Sequence, residues 1–275
     1  MTDHYCVIGN PIAHSKSPEI HAAFALQTGQ KLVYERCLAP VEAFAATVRN
    51  LVDAGYRGAN VTVPFKLEAA ALALSLSARA RAAGAVNTLS FVGTDIVGDN
   101  TDGAGLVNDI VRNARVQVAG KRVLLLGAGG AARGVILPLL HEHPQQIVIA
   151  NRTVATAEAL AGHFAAHTQH GQQLSACAFE AIGEPPFDIV INATSASLAA
   201  AMPPVPATAF ATNTLALDMM YGNKPTLFME FAAAQGATPR DGLGMLVEQA
   251  AEAFAIWRGV RPVTETILTR MRTTS

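Results

Sequence analysis

The stretch Arg122–Arg133, which reads RVLLLGAGGAAR, contains the most informative pattern in this chain of 275 residues. Its apolar run is typical of a buried strand, and it leads through closely spaced glycines into an alanine-rich segment that favours a helix. Gly127 permits a tight turn, Gly129 lets backbone N–H groups approach a pyrophosphate, and the small Ala132 allows the helix to pack closely on the strand. Because the helix N-terminus adds positive dipole, the pattern predicts a phosphate-binding turn, with a plain βα turn as the alternative.

The strand expected after this turn indicates the type of dinucleotide. It ends at residues 147–150 and is followed by Asn151, Arg152 and Thr153, without the Asp or Glu that would bind the ribose 2′-hydroxyl of NAD. Arg152 instead offers a planar cation to a 2′-phosphate, and its two neighbours add short hydrogen-bonding groups. The sequence therefore favours NADP(H). The alternative is an arginine that is merely solvated at the end of a strand.

A further strand, at residues 188–192, is followed by Thr194 and Ser195. In an open α/β sheet, residues just past the carboxyl ends of the strands line the ligand crevice, so both side chains are candidates to approach the nicotinamide half of a cofactor. Polar residues of this kind also simply close turns. The loop by itself favours neither interpretation.

Strand-like and helical segments alternate along the whole chain, as in α/β proteins with parallel sheets. In the first hundred residues the predicted strands are 5–8, 32–38, 58–63, 86–92 and 96–97, the last two joined as a hairpin, and the predicted helices are 18–27, 41–54 and 66–83. Later strands are expected near 122–126, 147–150, 188–192 and 215–218, and helices at about 130–140, 243–258 and 263–271.

These two series predict two domains. The first is a mostly parallel α/β substrate domain formed by residues 1–102 and 243–275, so that the C-terminal helices return to it. The second is a Rossmann-like NADP-binding domain formed by residues 103–242.

The composition narrows the class of protein. Hydrophobic residues make up 51% of the chain and charged residues only 15%, which excludes a disordered chain. With 20 basic and 21 acidic residues the net charge is -1, so no general field attracts nucleic acid or an anionic membrane. We therefore expect small-molecule ligands that are bound through local contacts.

Cysteine usage and the N-terminal residues predict a cytoplasmic protein. Cys6, Cys37 and Cys177 are odd in number and far apart in the sequence, which predicts neither a disulfide framework nor a metal site. The first residues lack the basic start and long apolar run of an export signal.

Small polar residues concentrate at the expected strand-to-helix junctions of the first domain, where α/β proteins bind ligands. They are Asn10, Ser15, Ser17, Asn60, Thr62, Lys66, Asn87, Asp99, Asn100, Thr101 and Asp102. Ser17 precedes Pro18, and a serine that caps a helix is a sufficient structural explanation for it. For Ser17 alone, capping is the preferred interpretation.

Lys66 stands at the predicted start of a helix, where the dipole disfavours a cation. An opposed carboxylate would compensate, and Asp102 is the candidate. Reduction of a ketone by hydride needs a proton donor at the developing alkoxide, which a Lys–Asp pair can supply. Two charges so far apart in sequence are more often unrelated surface groups, and that alternative stays open at this stage.

Eight successive blocks resemble the signatures of the shikimate dehydrogenase family, in the family's order and over nearly the whole chain. They are residues 9–18, 58–66, 84–88, 98–103, 127–133, 151–153, 192–195 and 241–249. The resemblance implies NADPH-dependent, reversible reduction of 3-dehydroshikimate to shikimate on the pathway to chorismate and the aromatic amino acids. It also implies two α/β domains that flank a cleft.

The resemblance further implies roles for individual residues. Lys66 and Asp102 correspond to the catalytic pair. The remaining substrate contacts would come from Ser15 and Ser17 at the carboxylate, from Thr62, Asn87, Asp102 and Gln249 at the ring hydroxyls, and from Tyr221 near the carboxylate end. The cofactor would be held by Gly127, Ala128, Gly129, Gly130, Ala131, Asn151, Arg152 and Thr153, with Thr194, Ser195 and Gly242 near the nicotinamide.

Two positions depart from the family pattern. Thr156 stands where members with strong NADP preference often have a second arginine, which predicts weaker discrimination against NAD. Ser197 stands where the family commonly has glycine, which puts the path of that loop in doubt.

Two rival functions differ from this one in the cofactor or in the chemistry. One is an NAD-dependent quinate/shikimate dehydrogenase, which an acid in place of Arg152 would favour. The other is a nucleotide-sensing protein without catalysis, against which the presence of Lys66 and Asp102 argues. A monomer or a homodimer is expected.

Overall fold

The computed structural model describes residues 2–169, 171–199 and 201–273. Within these residues the chain forms two compact units, each containing a sheet of six strands. The first unit comprises the residues up to Gly105 together with those from Leu246 onward, and the second comprises Leu106–Met245. The predicted α/β class is confirmed.

The elements are as follows. The strands are β1 (Asp3–Gly9), β2 (Leu32–Leu38), β3 (Gly58–Val61), β4 (Ser75–Leu76), β5 (Thr88–Val92), β6 (Asp95–Asp99), β7 (Arg122–Leu126), β8 (Gln146–Ala150), β9 (Gln173–Cys177), β10 (Ile189–Asn192), β11 (Leu215–Asp218) and β12 (Thr238–Arg240). The helices are α1 (Ser17–Thr28), α2 (Phe44–Asp53), α3 (Lys66–Leu72), α4 (Ala78–Ala83), α5 (Asp102–Asn108), α6 (Gly130–His141), α7 (Val154–Phe164), α8 (Leu227–Ala234), α9 (Leu243–Arg258) and α10 (Glu265–Thr273).

In the first unit the strand order is β2-β1-β3-β5-β6-β4. β1 runs parallel to both β2 and β3, whereas β5 pairs antiparallel with β3 and β6, so the predicted hairpin is confirmed. Apolar side chains from β1, β3 and β5 form the core of this sheet with Phe44 and Phe65, whose rings stack at 4.7 Å. The polar residues of the candidate site lie just beyond the ends of these strands.

The C-terminal helices belong to the first unit, as predicted, and the end of α9 contacts its sheet. The indole Nε1 of Trp257 donates a hydrogen bond to the carbonyl oxygen of Leu89 on β5, at 3.1 Å. Arg258 binds the carboxylate of Asp3 on β1, at 2.5 Å, and the side-chain oxygen of Gln30. The return of the chain is therefore held by a ring against one strand and by an ion pair against another.

The single helix predicted for residues 66–83 is wrong. The segment is divided into α3, the short strand β4 and α4, because the backbone between the two helices pairs with β6. Leu74 N donates to the carbonyl oxygen of Ile96 at 2.8 Å, and Ser77 N donates to that of Gly98 at 2.9 Å. The Ser77 hydroxyl then caps α4 by accepting from Ala80 N. Helix-favouring alanines on both sides concealed this strand.

In the second unit six parallel strands are ordered β12-β11-β10-β7-β8-β9. The four central strands are apolar and were predicted from sequence. The edge strands β9 and β12 were not, because β9 contains polar residues and β12 contains Pro239, a residue that sheets accept at their edges. Among the described residues, no helix combines the length and the apolar character that a membrane span requires.

Candidate active site

Lys66 and Asp102 form a hydrogen-bonded ion pair in the first unit. Lys66 follows the turn after β3 and begins α3, whereas Asp102 follows β6 and begins α5. The Nζ of Lys66 lies 2.6 Å from Oδ2 of Asp102, and the two side chains are only 17% and 6% exposed. The structure thus brings together two charged groups that are separated by 36 residues in the sequence.

The positions of both residues at helix starts have opposite electrostatic consequences. The positive end of a helix dipole favours the carboxylate of Asp102 and disfavours the ammonium of Lys66. Pairing places the negative charge beside the cation and offsets that disadvantage. Among the described residues, Asp102 supplies the only acceptor in hydrogen-bond contact with Nζ. The ammonium can therefore donate its other N–H groups to a ligand.

A buried network fixes the other oxygen of Asp102. The amide nitrogen of Asn87 donates to Oδ1 of Asp102 at 2.9 Å and also faces Oε1 of Gln249 at 3.2 Å. The amide oxygen of Asn87 accepts from the backbone N–H of Thr101 at 2.8 Å, which defines which end of the amide points to the carboxylate. Hydrogen bonds therefore link Lys66 to Asp102, Asp102 to Asn87 and Asn87 to Gln249.

Ser15 and Ser17 form a second polar pair. Both are buried, and the hydroxyl of Ser15 donates to that of Ser17 at 3.2 Å. Ser17 is the first residue of α1 and does not cap it: Lys16 occupies the capping position, and no side-chain hydrogen bond caps the helix. The capping interpretation of Ser17 is therefore wrong.

Thr62 and Tyr221 were also predicted to bind substrate. Thr62 follows β3, is half-buried, and its backbone N–H donates to the carbonyl oxygen of Ile8. Tyr221 lies in the second unit, in the loop after β11, and is partly exposed.

The sequence patterns did not identify two buried ring residues of the first unit, His21 and Tyr34. The imidazole of His21 stacks on the ring of Tyr34 at 4.1 Å, with an angle of 5° between the rings. Burial lowers the pKa of His21 to about 3, an effect that the nearby Asn60 opposes only in part. Neither ring nitrogen of His21 has a hydrogen-bond partner among the residues that the structure describes. The sequence signal was available: His21 lies one helical turn after Ser17, on the buried face of α1 that also contains Ile20.

The glycine-rich turn of the second unit has the predicted form. Gly127 adopts a φ of +102°, which L-residues with a side chain rarely adopt, and Ala132 is fully buried on the inner face of α6. At Gly129 and Gly130 a Cβ would meet no atom within 4 Å. The protein interior therefore does not require glycine at these two positions, whereas a phosphate that approaches the backbone would. The turn fits a dinucleotide pyrophosphate.

The residues after β8 fit the phosphate of NADP(H). Arg152 and Thr153 are exposed, and Asn151 holds the loop by donating from its side chain to the carbonyl oxygen of Thr153 at 3.0 Å. Arg152 forms no ion pair within the described part of the chain, so its cation is available to an anion. Thr156, the departure from the family pattern, is exposed on α7.

The loop after β10 is built around a buried carboxylate. Thr194 donates to the side-chain oxygen of Asn192 at 2.7 Å, and Ser195 is exposed. Ser197 donates to Oδ2 of Asp218 at 2.7 Å and lies in a 3-10 turn (Ala196–Ala199) without positive φ. The doubt about this loop is thereby resolved, because the serine tethers the loop through its hydroxyl.

Gly242 is required by close packing of the backbone. A Cβ there would lie 2.1 Å from the carbonyl oxygen of Met219, and the backbone N–H donates to the carbonyl oxygen of Met220 at 2.9 Å. This contact explains the glycine independently of any cofactor.

Comparison with known proteins assigns the family. Residues 7–89 match the shikimate dehydrogenase substrate binding domain, residues 109–202 match shikimate / quinate 5-dehydrogenase, and residues 242–272 match the shikimate 5'-dehydrogenase C-terminal domain. The shikimate dehydrogenase (NADP(+)) of Herminiimonas arsenicoxydans is 62% identical, over 99% of this chain and 98% of its own.

Solved structures of other proteins are similar to this chain over nearly its whole length. An Ael1 enzyme from Pseudomonas putida is 47% identical, with a TM-score of 0.91 and 98% of each chain covered. The shikimate 5-dehydrogenase of Thermus thermophilus in complex with NADP(H) and shikimate is 31% identical, with a TM-score of 0.87 and 100% of each chain covered. The predicted oxidoreductase class and the use of NADP(H) are confirmed. The chain belongs to the shikimate dehydrogenase family.

Proposed function

We propose that this chain interconverts 3-dehydroshikimate and shikimate with NADP(H), and that Lys66 and Asp102 are its acid–base pair. The observation that carries the proposal is the 2.6 Å contact between Nζ of Lys66 and Oδ2 of Asp102 inside a buried polar network. We assign substrate binding to residues 1–102 and 243–275 and cofactor binding to residues 103–242. The family model named for substrate binding, which matches residues 7–89, supports this division.

Lys66 donates or accepts the proton of the reaction, depending on its direction. In the reducing direction its ammonium donates a proton to the oxygen on which negative charge develops, and in the oxidising direction its amine accepts the hydroxyl proton. Asp102 keeps Nζ in place and offers an acceptor for the same proton. Asn87 holds the carboxylate of Asp102 in its orientation. NADPH, when bound, supplies the hydride that reduces the ketone.

The remaining residues bind the two ligands. Ser15 and Ser17 offer hydroxyl groups to the substrate carboxylate, with Tyr221 near the same end, and Thr62, Asn87 and Gln249 bind ring hydroxyls. The cofactor pyrophosphate would be held by the turn formed by Gly127, Ala128, Gly129, Gly130 and Ala131. Arg152 would bind the 2′-phosphate with support from Asn151 and Thr153, while Thr194, Ser195 and Gly242 would lie near the nicotinamide.

The test replaces Lys66 by methionine, which keeps the length of the side chain and removes its charge. We expect kcat for shikimate oxidation by NADP to fall by roughly 10²–10⁴-fold, with little change in KM, because a general acid or base contributes that much. The matched control is Lys121→Met, which breaks an ion pair with Asp188 elsewhere in the chain and should retain activity.

Two results complete this test. Titration of NADPH fluorescence should show unchanged cofactor binding in Lys66→Met. A kcat within twofold of the parent protein would overturn the assignment of the acid–base pair.

We also place the protein in the cytoplasm. Cys6, Cys37 and Cys177 are free thiols, as is usual for proteins of a reducing compartment. Whether the chain is a monomer or a homodimer stays a prediction, as does the absence of nucleic-acid and membrane partners.

A further inference from the structure

Tyr34 begins a series of buried hydrogen bonds in the first unit that leads through Asn60 and Thr88 to Asn87. It lies on β2, directly opposite Tyr5 of β1, and its ring is buried against His21. Its hydroxyl donates to the side-chain oxygen of Asn60 at 2.6 Å. The phenol thus donates to the first of two buried amide side chains, those of Asn60 and Asn87.

The hydrogen bonds continue from Asn60 toward the ion pair. Because the oxygen of its amide accepts from Tyr34, the nitrogen of Asn60 is directed to Oγ1 of Thr88 at 3.1 Å and to the carbonyl oxygen of Asn87 at 3.2 Å. The hydroxyl of Thr88 then donates to the amide oxygen of Asn87 at 2.8 Å. Together with the backbone N–H of Thr101, which donates to the same amide oxygen at 2.8 Å, this bond directs the amide nitrogen of Asn87 toward Asp102.

Each bond in this series sets the direction of the next. An amide has one accepting and one donating end, and a hydroxyl has a single proton, so a donor fixed at the start orders those that follow. Tyr34 is a constant donor, since burial raises its pKa well above the ordinary value, against a smaller lowering by the Ser17 hydroxyl. The hydroxyl therefore stays protonated throughout the working pH range.

We propose that Tyr34 is a positioning residue, which orients Asn60, Thr88 and Asn87 so that an N–H group is presented to Asp102. This inference rests on the proposed function of Lys66 and Asp102. Tyr34 acts through the intervening side chains and does not itself carry out chemistry.

The test removes only the phenol oxygen, in Tyr34→Phe. The matched control is Tyr5→Phe: this tyrosine is its partner in the strand register, is also buried and stacks on Trp257, but its hydroxyl faces Arg258 at 3.4 Å. In single turnovers followed by NADPH absorbance, we expect the rate constant to fall about threefold to tenfold in Tyr34→Phe and to stay within twofold in Tyr5→Phe.

Single turnovers separate positioning from loss of folded protein. A smaller folded fraction lowers the amplitude of the absorbance change, whereas a displaced Asp102 lowers its rate constant. Thr88→Val breaks the series at its middle and should reproduce the lower rate constant, which keeps the proposal testable if Tyr34→Phe does not fold.

A rate constant in Tyr34→Phe or Thr88→Val equal to that of the Tyr5→Phe control would overturn the proposal. This outcome is distinct from failure of the proposed function, which would appear as unchanged kcat in Lys66→Met. The two inferences can therefore fail separately.

Discussion

Lys66 and Asp102 are each the first residue of a helix, and the 2.6 Å contact between their side chains joins the two helix starts. The helix dipole at these starts favours the carboxylate of Asp102 and disfavours the ammonium of Lys66, so the two residues depend unequally on their pairing. Removal of the carboxylate leaves a largely buried cation at an unfavourable helix end, whereas removal of the lysine leaves a carboxylate that its own helix still stabilises.

The first prediction follows from this asymmetry. Asp102→Asn should lower kcat by roughly 10²–10⁴-fold and should also lower the melting temperature, because Lys66 loses its counter-charge. Lys66→Met should lower the melting temperature less. Steady-state kinetics and calorimetry measure the two effects, and Asp53→Asn, at the exposed end of α2, is the control. A larger loss of stability in Lys66→Met would contradict the electrostatic argument.

Arg152 should determine the preference for NADP(H). We expect Arg152→Ala to raise KM for NADPH roughly tenfold to a hundredfold and to leave KM for NADH nearly unchanged, since only NADPH carries the 2′-phosphate. Arg112→Ala, an exposed arginine of the same unit, serves as control.

Thr156 should weaken the same preference. The ratio of kcat/KM for NADPH over NADH should be above one in the parent protein and should increase in Thr156→Arg, which adds a second cation. A parent ratio near one would refute the assignment of NADP(H).

Gly129 should be required for cofactor binding but not for folding. A Cβ there meets no protein atom, so Gly129→Ala should keep the melting temperature while raising the Kd for NADPH at least tenfold, as a methyl group obstructs approach of the pyrophosphate. Gly183→Ala, at another open position, should change neither quantity. If Gly129→Ala bound NADPH normally, the pyrophosphate would have to lie elsewhere.

The buried imidazole of His21 should make the free energy of unfolding depend on pH. The pKa of the buried imidazole is lowered to about 3, so the unfolded chain, with a histidine pKa near ~6.5, binds the proton first as the pH falls. The stabilisation is complete above about pH 6.5 and is lost progressively below it. Between pH 7.5 and 5 the loss amounts to about 2 kcal/mol.

Replacing His21 by phenylalanine isolates this effect. The free energies of unfolding in urea should change less with pH in His21→Phe. The value for His21→Phe minus the value for the parent protein should therefore be about 2 kcal/mol more positive at pH 5 than at pH 7.5. Carboxylates titrate alike in both proteins and cancel. An equal pH dependence in the two would show that the imidazole is accessible to protons in the folded state.

The sequence predicted those features that depend on local pattern. The strand and glycine turn from Arg122 to Arg133, the hairpin between β5 and β6, and helix α9 are encoded by adjacent residues, and all are observed. The break between α3 and α4 could not be predicted, because it depends on pairing with β6, where Ser75 lies opposite Val97.

Within the site, residue types were predictable and connections were not. Lys66 and Asp102 could be matched by charge, but Tyr34, on an edge strand, carries no pattern that relates it to Asn60. The ring nitrogens of His21, which have no hydrogen-bond partner in the described part of the chain, likewise depend on tertiary packing. Side-chain networks of this kind arise only when distant strands are brought side by side.

The hydrogen bond between Trp257 and Leu89 spans 168 residues, and the whole of the second unit is encoded between them. At a synthesis rate of roughly 5–20 residues per second, the ribosome needs on the order of ten to thirty seconds to make that interval. The unit whose strands emerge first is consequently completed last, because its sheet lacks the C-terminal helices until the second unit has been synthesised.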